Sequence, residues 1–272
     1  MHGTVATGSK DALMEREQRG GTLVLMLARP DARNSLSEAL IEALQDAIDH
    51  AAADATIRAV IIGAQGSVFS SGHDLKELTA HRADADGGRA FTKLLMHKCS
   101  KLMRSIVQCP KPVIAAVEGT ATAAGCQLVA TCDLAVASEK AEFGTPGVNI
   151  GLFCSTPMVA LSRNVPRKQA MQMLLLGERL GAREALAYGL VNRVVAPGAA
   201  IQAALEMARV IESKPPVTLA IGKEAFYKQL EMSLADAYDY AAGVMVENMM
   251  HKEAKEGIGA FVEKRPPDWT KT

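Results

Sequence analysis

The chain has 272 residues and a mass of 28.8 kDa, and its 30 basic and 30 acidic residues give a formal net charge of zero. Nucleic-acid binding and adsorption to anionic membranes both depend on clustered positive charge, so the balance indicates neither partner. Apolar residues make up 49% of the chain and charged residues 22%, as in ordinary globular proteins. No apolar stretch reaches the ~18 residues of a membrane-spanning helix.

The cysteines and the N-terminal segment predict a cytoplasmic protein. The number of cysteines is odd and none are spaced as CxxC, so reduced core thiols are expected, and the histidines also lack metal-site spacing. The N-terminal segment has no apolar region typical of a secretory signal, and its acidic residues suit a transit peptide poorly. Residues 1–12 are predicted to form a loose tail.

In chain order, short apolar runs predict buried strands, and apolar residues at helical spacing predict helices between them. A capping box of Ser35 and Glu38 predicts the start of the first helix. Strands buried on both faces that alternate with helices indicate an α/β class. We therefore expect an α/β body over 13–198 and a helical region over 199–272, either a separate lobe or an oligomerisation element. The predicted strands are 22–27, 59–63, 112–117, 134–137 and 191–195, and the predicted helices are 91–107, 167–176, 182–188, 199–213, 216–230, 233–249 and 252–263.

Residues 68–78 form the first segment that indicates chemistry. Gly72 followed by a charged helix start predicts a tight turn, with the backbone N–H groups near His73 facing outward and a helix dipole behind them. Such a turn suits an oxyanion or a phosphate. The alternative is a plain helix N-terminus, with Asp74 as a favourable first-turn charge and a His73 side chain that has no catalytic role.

Residues 119–130 form the second segment, in which successive small residues allow close approach of backbones. A helix that begins here would present a second set of N–H donors. Two donors from distant parts of the chain are what a thioester enolate needs, and each contributes about 3–4 kcal/mol in a dry site. The alternative is a buried helix packed through its small residues.

Residues 143–157 form the third segment, whose many glycines and prolines predict a shaped loop. Cys154 and Ser155 lie in this loop, but no histidine adjoins them in the sequence, so we do not expect a nucleophile here.

The order of the three segments resembles the crotonase, or enoyl-CoA hydratase/isomerase, superfamily over about residues 20 to 267. Within it, the pattern is most similar to the enoyl-CoA hydratase domain-containing protein 3 branch. The residues that carry the resemblance are Phe69-x-x-Gly72-x-Asp74-Leu75-Lys76-Glu77, Lys111-Pro112-Val113-Ile114-Ala115 through Cys132-Asp133-Leu134, Phe143-Gly144-x-Pro146, Gly151-Leu152, Ala182-x-Glu184-Ala185-x-x-x-Gly189-Leu190-Val191 and Ala260-Phe261-x-Glu263-Lys264-Arg265.

The resemblance implies a spiral of ββα units, a helical C-terminal trimerisation region and a homotrimer or hexamer. It implies an acyl-CoA thioester substrate whose carbonyl oxygen lies between the N–H groups of His73 and Ala124. No separate cofactor is implied, because coenzyme A is part of the substrate. Among its contacts, Arg33 and Lys264 are the expected phosphate partners, and Phe261 and Lys264 belong to the tail of a neighbouring subunit. The implied coenzyme A contacts are Ala32, Arg33, Ser71, Asp74, Leu75, Phe261 and Lys264.

Two positions depart from the family's hydratases, which bring two glutamates to opposite sides of a water. This chain has Gln127 and Gly147 at those positions. Positioned acid–base groups contribute about 10²–10⁴ in rate each, so ordinary hydration is expected to be impaired, and isomerisation too. The side chains of His73 and Asp74, or a water held by Gln127, are the alternatives for proton transfer. The implied catalytic positions are therefore His73, Ala124, Gln127 and Gly147.

Three functions remain open from the sequence. The first is an acyl-CoA-processing enzyme, nominally an enoyl-CoA hydratase of fatty-acid metabolism. The second is a non-catalytic acyl-CoA binder, and the third is a thioester hydrolase. Restoring both glutamates is expected to raise hydration if the loop at Gly147 tolerates a side chain.

Overall fold

The computed structural model describes residues 13–269, which form two β-sheets surrounded by helices. The predicted tail at 1–12 lies outside the described residues. The strands are β1 (Met14–Arg19), β2 (Thr22–Leu27), β3 (Ala59–Ala64), β4 (Val68–Ser70), β5 (Val113–Val117), β6 (Thr120–Thr122), β7 (Leu134–Ser138), β8 (Glu142–Gly144), β9 (Arg179–Gly181) and β10 (Arg193–Val195). The helices are α1 (Glu38–Ala53), α2 (Leu75–Ala80), α3 (Arg89–Gln108), α4 (Ala124–Thr131), α5 (Pro157–Asn164), α6 (Arg167–Leu176), α7 (Ala182–Ala187), α8 (Ala200–Glu212), α9 (Pro216–Gln229), α10 (Leu234–Met250) and α11 (Lys252–Val262).

The larger sheet has the strand order β1-β2-β3-β5-β7-β10 and is parallel except for the β1–β2 pair. Its central strands are continuous apolar runs because both faces are buried. Alternate residues of β2 divide between two cores: Leu23 and Leu25 face the main core, whereas Val24 packs into a second, smaller one. The expected α/β class with a helical C-terminal region is confirmed.

Helix α8 covers the second face of this sheet. Its inner surface consists of alanines, which let the helix lie close to the strands. Glu118, at the end of β5, accepts hydrogen bonds from the N–H groups of Gly198 and Ala200 and so caps α8. This helix, which the sequence assigns to the C-terminal region, therefore packs against the sheet of the α/β body.

The smaller sheet positions the three segments of interest. Its strands β4, β6 and β8 are parallel neighbours, and β9 pairs antiparallel with β8. Each of the three parallel strands runs directly into one of the segments. Because the carboxyl ends of parallel strands lie at the same edge of a sheet, the three segments meet there.

The predicted strands and helices are confirmed, with ends shifted by one or two residues. The predicted capping box is wrong: Ser37 is the N-cap of α1 and accepts from the N–H of Leu40 at 3.3 Å, whereas Ser35 Oγ donates to Asp74 at 2.9 Å. The sequence analysis missed β1, the short helix α5 and the whole smaller sheet. Three-residue strands carry too little periodicity to be recognised, and β1 is mostly exposed and charged.

A partly buried ion pair anchors helix α9 to the α/β body. Lys223 Nζ on α9 lies 2.6 Å from the Asp133 carboxylate and also donates to the carbonyl groups of Ile106 and Lys111. Tyr227 donates to the second oxygen of Asp133 at 2.9 Å. These contacts join α9 to the loop before β7.

Within the described chain, α9 and α10 contain no buried residue. Their large apolar side chains are instead among the most exposed of the described residues, including Phe226, Leu234, Tyr238, Met245, Val246, Met249 and Met250. An apolar surface of this extent is typical of an interaction face. None of the helices between residues 13 and 269 has the length and apolar character needed to cross a bilayer.

Candidate active site

The three segments meet at the backbone of Ala123, just before α4. A Cβ atom at Gly72 would lie 2.8 Å from the Cβ of Ala123 and 3.1 Å from the nitrogen of Ala124, so the first and second segments are in direct contact. The N–H of Ala123 donates to the carbonyl of Gly144, in β8, at 2.9 Å. The carbonyl of Ala123 accepts from the N–H of Gln127 at 3.0 Å. One residue thus connects all three segments.

The N–H of His73 has no protein acceptor. An isolated parallel β-bridge pairs His73 with Leu36 through the backbone groups of the residues on either side of His73. Leu36 donates to the carbonyl of Gly72 at 2.8 Å and accepts from the N–H of Asp74 at 3.2 Å. Because successive backbone groups of an extended chain alternate in direction, the N–H of His73 points away from Leu36. No backbone or side-chain oxygen of residues 13–269 accepts from it.

The N–H of Ala124 is likewise free of protein acceptors. Ala124 is the first residue of α4, and the first N–H groups of a helix have no partner within it. The preceding Ala123 has φ 50° and ψ −122°, a region that costs a residue with a Cβ about 1–3 kcal/mol. The close approach of α4 to β4 also requires Gly125, where a Cβ would lie 2.2 Å from the Ser70 carbonyl oxygen.

Three buried side-chain atoms from the same segments have no protein hydrogen-bond partner: His73 Nε2, Gln127 Oε1 and Thr145 Oγ1. Gln127 is 4% exposed and Thr145 is fully buried. Burial lowers the pKa of His73 to about 4, so its imidazole is neutral at neutral pH. Sequence analysis missed Thr145, because nothing in the local sequence shows that its hydroxyl is buried without a partner.

Asp74 has a structural role. Its carboxylate caps α2 through the N–H groups of Lys76 and Glu77, accepts from Ser35 Oγ and lies 3.6 Å from the Arg29 guanidinium. Burial opposes its ionisation, but these hydrogen bonds and the nearby charge keep the pKa of Asp74 below its ordinary value. An aspartate that is ionised and fully engaged is a poor proton donor.

Gly147 lies at a position that has no room for a side chain. A Cβ atom there would lie 2.6 Å from the carbonyl oxygen of Leu152 and 2.8 Å from Cys154 Sγ. Its φ lies outside the left-handed region, so the obstacle is steric contact with the 152–154 backbone rather than backbone strain. The condition that this loop tolerates a side chain is therefore not met.

The cysteines near the site are buried thiols. Burial raises the pKa of Cys154, and it raises the pKa of Cys126 to about 12. Both are uncharged at neutral pH and are therefore weak nucleophiles. Within residues 13–269, no cluster of three or more His, Cys, Asp or Glu side chains could hold a metal ion.

The residues expected to contact coenzyme A fall in two places. Arg33 is exposed, and its carbonyl accepts from the N–H of Ser71 at 3.1 Å, so the residues around it adjoin the first segment. Leu75 is 49% exposed at the start of α2 and lines an open groove with Lys76. Phe261 and Lys264, by contrast, lie at the end of α11, which packs against α9 and α10. Ala32 adjoins Arg33, and Asp74 adjoins Leu75.

Comparison with known proteins supports the resemblance read from the sequence. The family profile described as enoyl-CoA hydratase/isomerase matches residues 17–272. The chain belongs to this family. It is 47% identical to the mitochondrial enoyl-CoA hydratase domain-containing protein 3 of Rattus norvegicus, over 96% of this chain and 86% of the relative. The human protein of the same name is 47% identical over 93% of this chain and 82% of the relative.

Solved structures of the family share the fold. The crystal structure of human enoyl-CoA hydratase domain-containing protein 3 matches with a TM-score of 0.90 and 47% identity, over 95% of this chain and all of that one. An enoyl-CoA hydratase from Mycobacterium smegmatis matches with a TM-score of 0.90 and 47% identity, over 96% of this chain and all of that one. The crotonase fold and the expected branch of the family are thereby confirmed.

The predicted cytoplasmic location is contradicted by the same comparison. Relatives 46–48% identical to this chain, from rat, frog, mouse, human and zebrafish, are all named mitochondrial proteins. The prediction relied on unpaired cysteines and on acidic residues in the N-terminal segment that suit a transit peptide poorly. Unpaired cysteines are compatible with any reducing compartment.

Proposed function

We propose that this protein is an acyl-CoA-processing enzyme, nominally an enoyl-CoA hydratase of fatty-acid metabolism. The observation that carries the proposal is the pair of N–H groups of His73 and Ala124, which two contacting segments leave without protein acceptors. A thioester carbonyl oxygen placed between them accepts two hydrogen bonds. These bonds strengthen as the oxygen gains negative charge, so they stabilise an enolate or a tetrahedral intermediate.

Efficient hydration is not expected, because the site lacks an ionisable group tuned to neutral pH. Gln127 cannot exchange a proton, and Gly147 has neither a side chain nor space for one. The low pKa of His73 makes it a weak base, and Asp74 is engaged in capping α2. The same observation favours the second candidate function, a protein that binds acyl-CoA without transforming it.

The proposal requires no separate cofactor, because coenzyme A is part of the substrate. We place its phosphates near Arg33 and near Lys264 of a neighbouring subunit, with the exposed apolar faces of α9 and α10 covered in a trimer or a pair of trimers. The substrate partner is thus an acyl-CoA thioester, and charge reversal of both Arg33 and Lys264 should weaken its binding.

The test compares binding with turnover in the same preparation. Calorimetry with butyryl-CoA measures affinity, and crotonyl-CoA absorbance together with a thiol reagent separates hydration from thioester cleavage. We expect micromolar binding and hydration far below the usual range of about 1–10³ per second. Hydration at 10²–10³ per second would refute the assignment of the acid–base groups, and absence of any acyl-CoA binding would refute the proposal itself.

A further inference from the structure

The loop between β2 and α1 determines where the N–H of His73 points. Within this loop, Leu36 donates to the carbonyl of Gly72 at 2.8 Å, and its own carbonyl accepts from the N–H of Asp74 at 3.2 Å. These two bonds hold the backbone on both sides of His73, so the His73 N–H faces away from the loop. The position of that N–H therefore depends on the position of Leu36.

Two residues just before Leu36 have backbone conformations that are unfavourable for residues with a Cβ. Arg33 has φ 52° and Asn34 has φ 48°, so two consecutive residues other than glycine are left-handed. The Arg33 carbonyl also accepts from the N–H of Ser71 at 3.1 Å, so the loop contacts the first segment here as well. Such conformations persist only where surrounding contacts hold them, and they are concentrated at functional sites.

The side chain of Asn34 supplies the contacts that hold the loop. It is fully buried, and its amide oxygen accepts from the N–H of Arg29 at 2.8 Å. Its amide nitrogen donates to the carbonyl of Gln65 at 2.9 Å and to that of Val68 at 2.7 Å. One amide thus joins the chain just after β2, the turn after β3 and the first residue of β4, the strand that leads into the first segment. Its removal would leave three backbone groups without protein partners, which favours a shift of the loop.

The other side of the first segment is fixed without the loop. A Cβ at Gly125 would lie 2.2 Å from the Ser70 carbonyl oxygen, so the end of β4 is in direct contact with α4. The N–H of Ala124, at the start of α4, therefore does not depend on Asn34. A shift of the loop would move the N–H of His73 relative to it. Because hydrogen bonds weaken steeply away from their preferred distance and angle, such a displacement would remove one of the two donors.

We propose that Asn34 is a positioning residue for the thioester site, which places the N–H of His73 for joint hydrogen bonding with that of Ala124. This inference rests on the proposed function, since it requires a thioester carbonyl between the two N–H groups. Because Asn34 is fully buried, it acts through Leu36 and the bridge to His73. A purely structural Asn34 would affect stability alone, whereas a positioning Asn34 determines how strongly the carbonyl oxygen is bound.

The experiment compares two ligands that differ only at the carbonyl: butyryl-CoA, a thioester, and S-butyl-CoA, a thioether with the same chain. Calorimetry of the full-length protein should show that butyryl-CoA binds about threefold to tenfold more tightly, the range of one net hydrogen bond. Asn34→Gly should reduce this ratio to less than about twofold, because glycine adopts the left-handed conformation freely but supplies no amide. The affinity for S-butyl-CoA should not change, since the thioether makes no use of the His73 N–H.

A second variant and a control separate positioning from stability. Asn34→Asp keeps an oxygen that accepts from the Arg29 N–H but lacks a second hydrogen to donate. At least one of the Gln65 and Val68 carbonyls then loses its partner, and the preference for the thioester should fall. Val136→Ala opens a cavity in the smaller core beneath α8, so it should lower the unfolding temperature and keep the preference. If neither Asn34 variant folds, Asn34 is required for the fold itself and the proposal is overturned.

The thioester carbonyl also gives a spectroscopic signature that a merely structural role would not alter. With butyryl-CoA labelled with ¹³C at the thioester carbon, the infrared carbonyl band should shift less on binding to Asn34→Gly than on binding to the parent, because one donor is misplaced. A shift of equal size in the two proteins would overturn the proposal, as would an equal weakening of both ligands.

Failure of the two proposals is distinguishable. A parent protein that shows no preference for the thioester over the thioether contradicts the thioester site. A preference that Asn34→Gly retains contradicts only the positioning role of Asn34.

Discussion

Polar groups that are shielded from solvent have protein partners in one region of this molecule and lack them in another. Where α9 meets the α/β body, Lys223, Asp133 and Tyr227 satisfy one another, and the Asp133 carboxylate also accepts from the N–H of Val113. Around Ala123, by contrast, two backbone N–H groups and three side-chain atoms have no protein partner. Satisfied networks hold elements together, whereas backbone N–H groups without a protein acceptor can bind a ligand.

The largest expected effect comes from breaking the satisfied network. Lys223→Met leaves the partly buried Asp133 carboxylate without its counter-charge, which should lower the free energy of unfolding by about 3 kcal/mol, the lower end of the range for a buried pair. Urea titration of both proteins measures the difference. Lys228→Met removes the lysine of an exposed ion pair with Glu224 and serves as the control, and it should change the free energy of unfolding far less. Equal effects of the two substitutions would show that burial of the network contributes nothing.

Protonation of His73 should produce the next largest effect. Its folded pKa of about 4 lies below the ordinary value of 6.5, so the unfolded chain binds the proton more readily between these values. Ionisation of His73 therefore does not affect the free energy of unfolding above pH 6.5. As the pH drops from 6.5 to 4, it lowers this free energy by up to about 3 kcal/mol. The variant His73→Asn should lose this contribution to the pH dependence. Parallel stability curves for the two proteins between pH 4 and 6.5 would contradict the burial of His73.

Gly147→Glu should destabilise the protein without creating an efficient hydratase. Its Cβ would contact the Leu152 carbonyl, and relief of that contact by moving the loop should cost about 1–3 kcal/mol. Combining it with Gln127→Glu adds a carboxylate at each position but disturbs the loop next to Thr145. Thermal unfolding and crotonyl-CoA hydration test this. A stable double variant with high hydration would show that the missing glutamates alone limit the reaction.

Asp74→Asn should have the smallest effect, about 1 kcal/mol, because asparagine is also a good N-cap. Since the folded pKa of Asp74 is lowered, its contribution is present above pH ~4 and disappears as the pH falls through the folded pKa. The substitution should therefore flatten the acid limb of the stability curve. An increase in stability at neutral pH would contradict the network of Asp74 with Ser35 and Arg29.

The sequence could predict the five parallel strands of the larger sheet, because runs such as 59–63 are long enough to show that both faces are buried. From the residues alone it could indicate N–H donors near His73 and at a helix that begins within 119–130, whereas the assignment of the pair to His73 and Ala124 came from the resemblance to the crotonase family. It could not show the partners of individual side chains. The missing space at Gly147, the capping role of Asp74 and the orphaned Thr145 hydroxyl all depend on contacts between segments far apart in the chain.

The most direct test of the thioester site is the infrared stretching frequency of the substrate carbonyl. Butyryl-CoA labelled with ¹³C at the thioester carbon allows this band to be separated from the amide bands of the protein. If the oxygen accepts from the N–H groups of His73 and Ala124, binding should shift the band to lower frequency than in water. A bound ligand whose carbonyl frequency stays at or above its value in water would contradict the account.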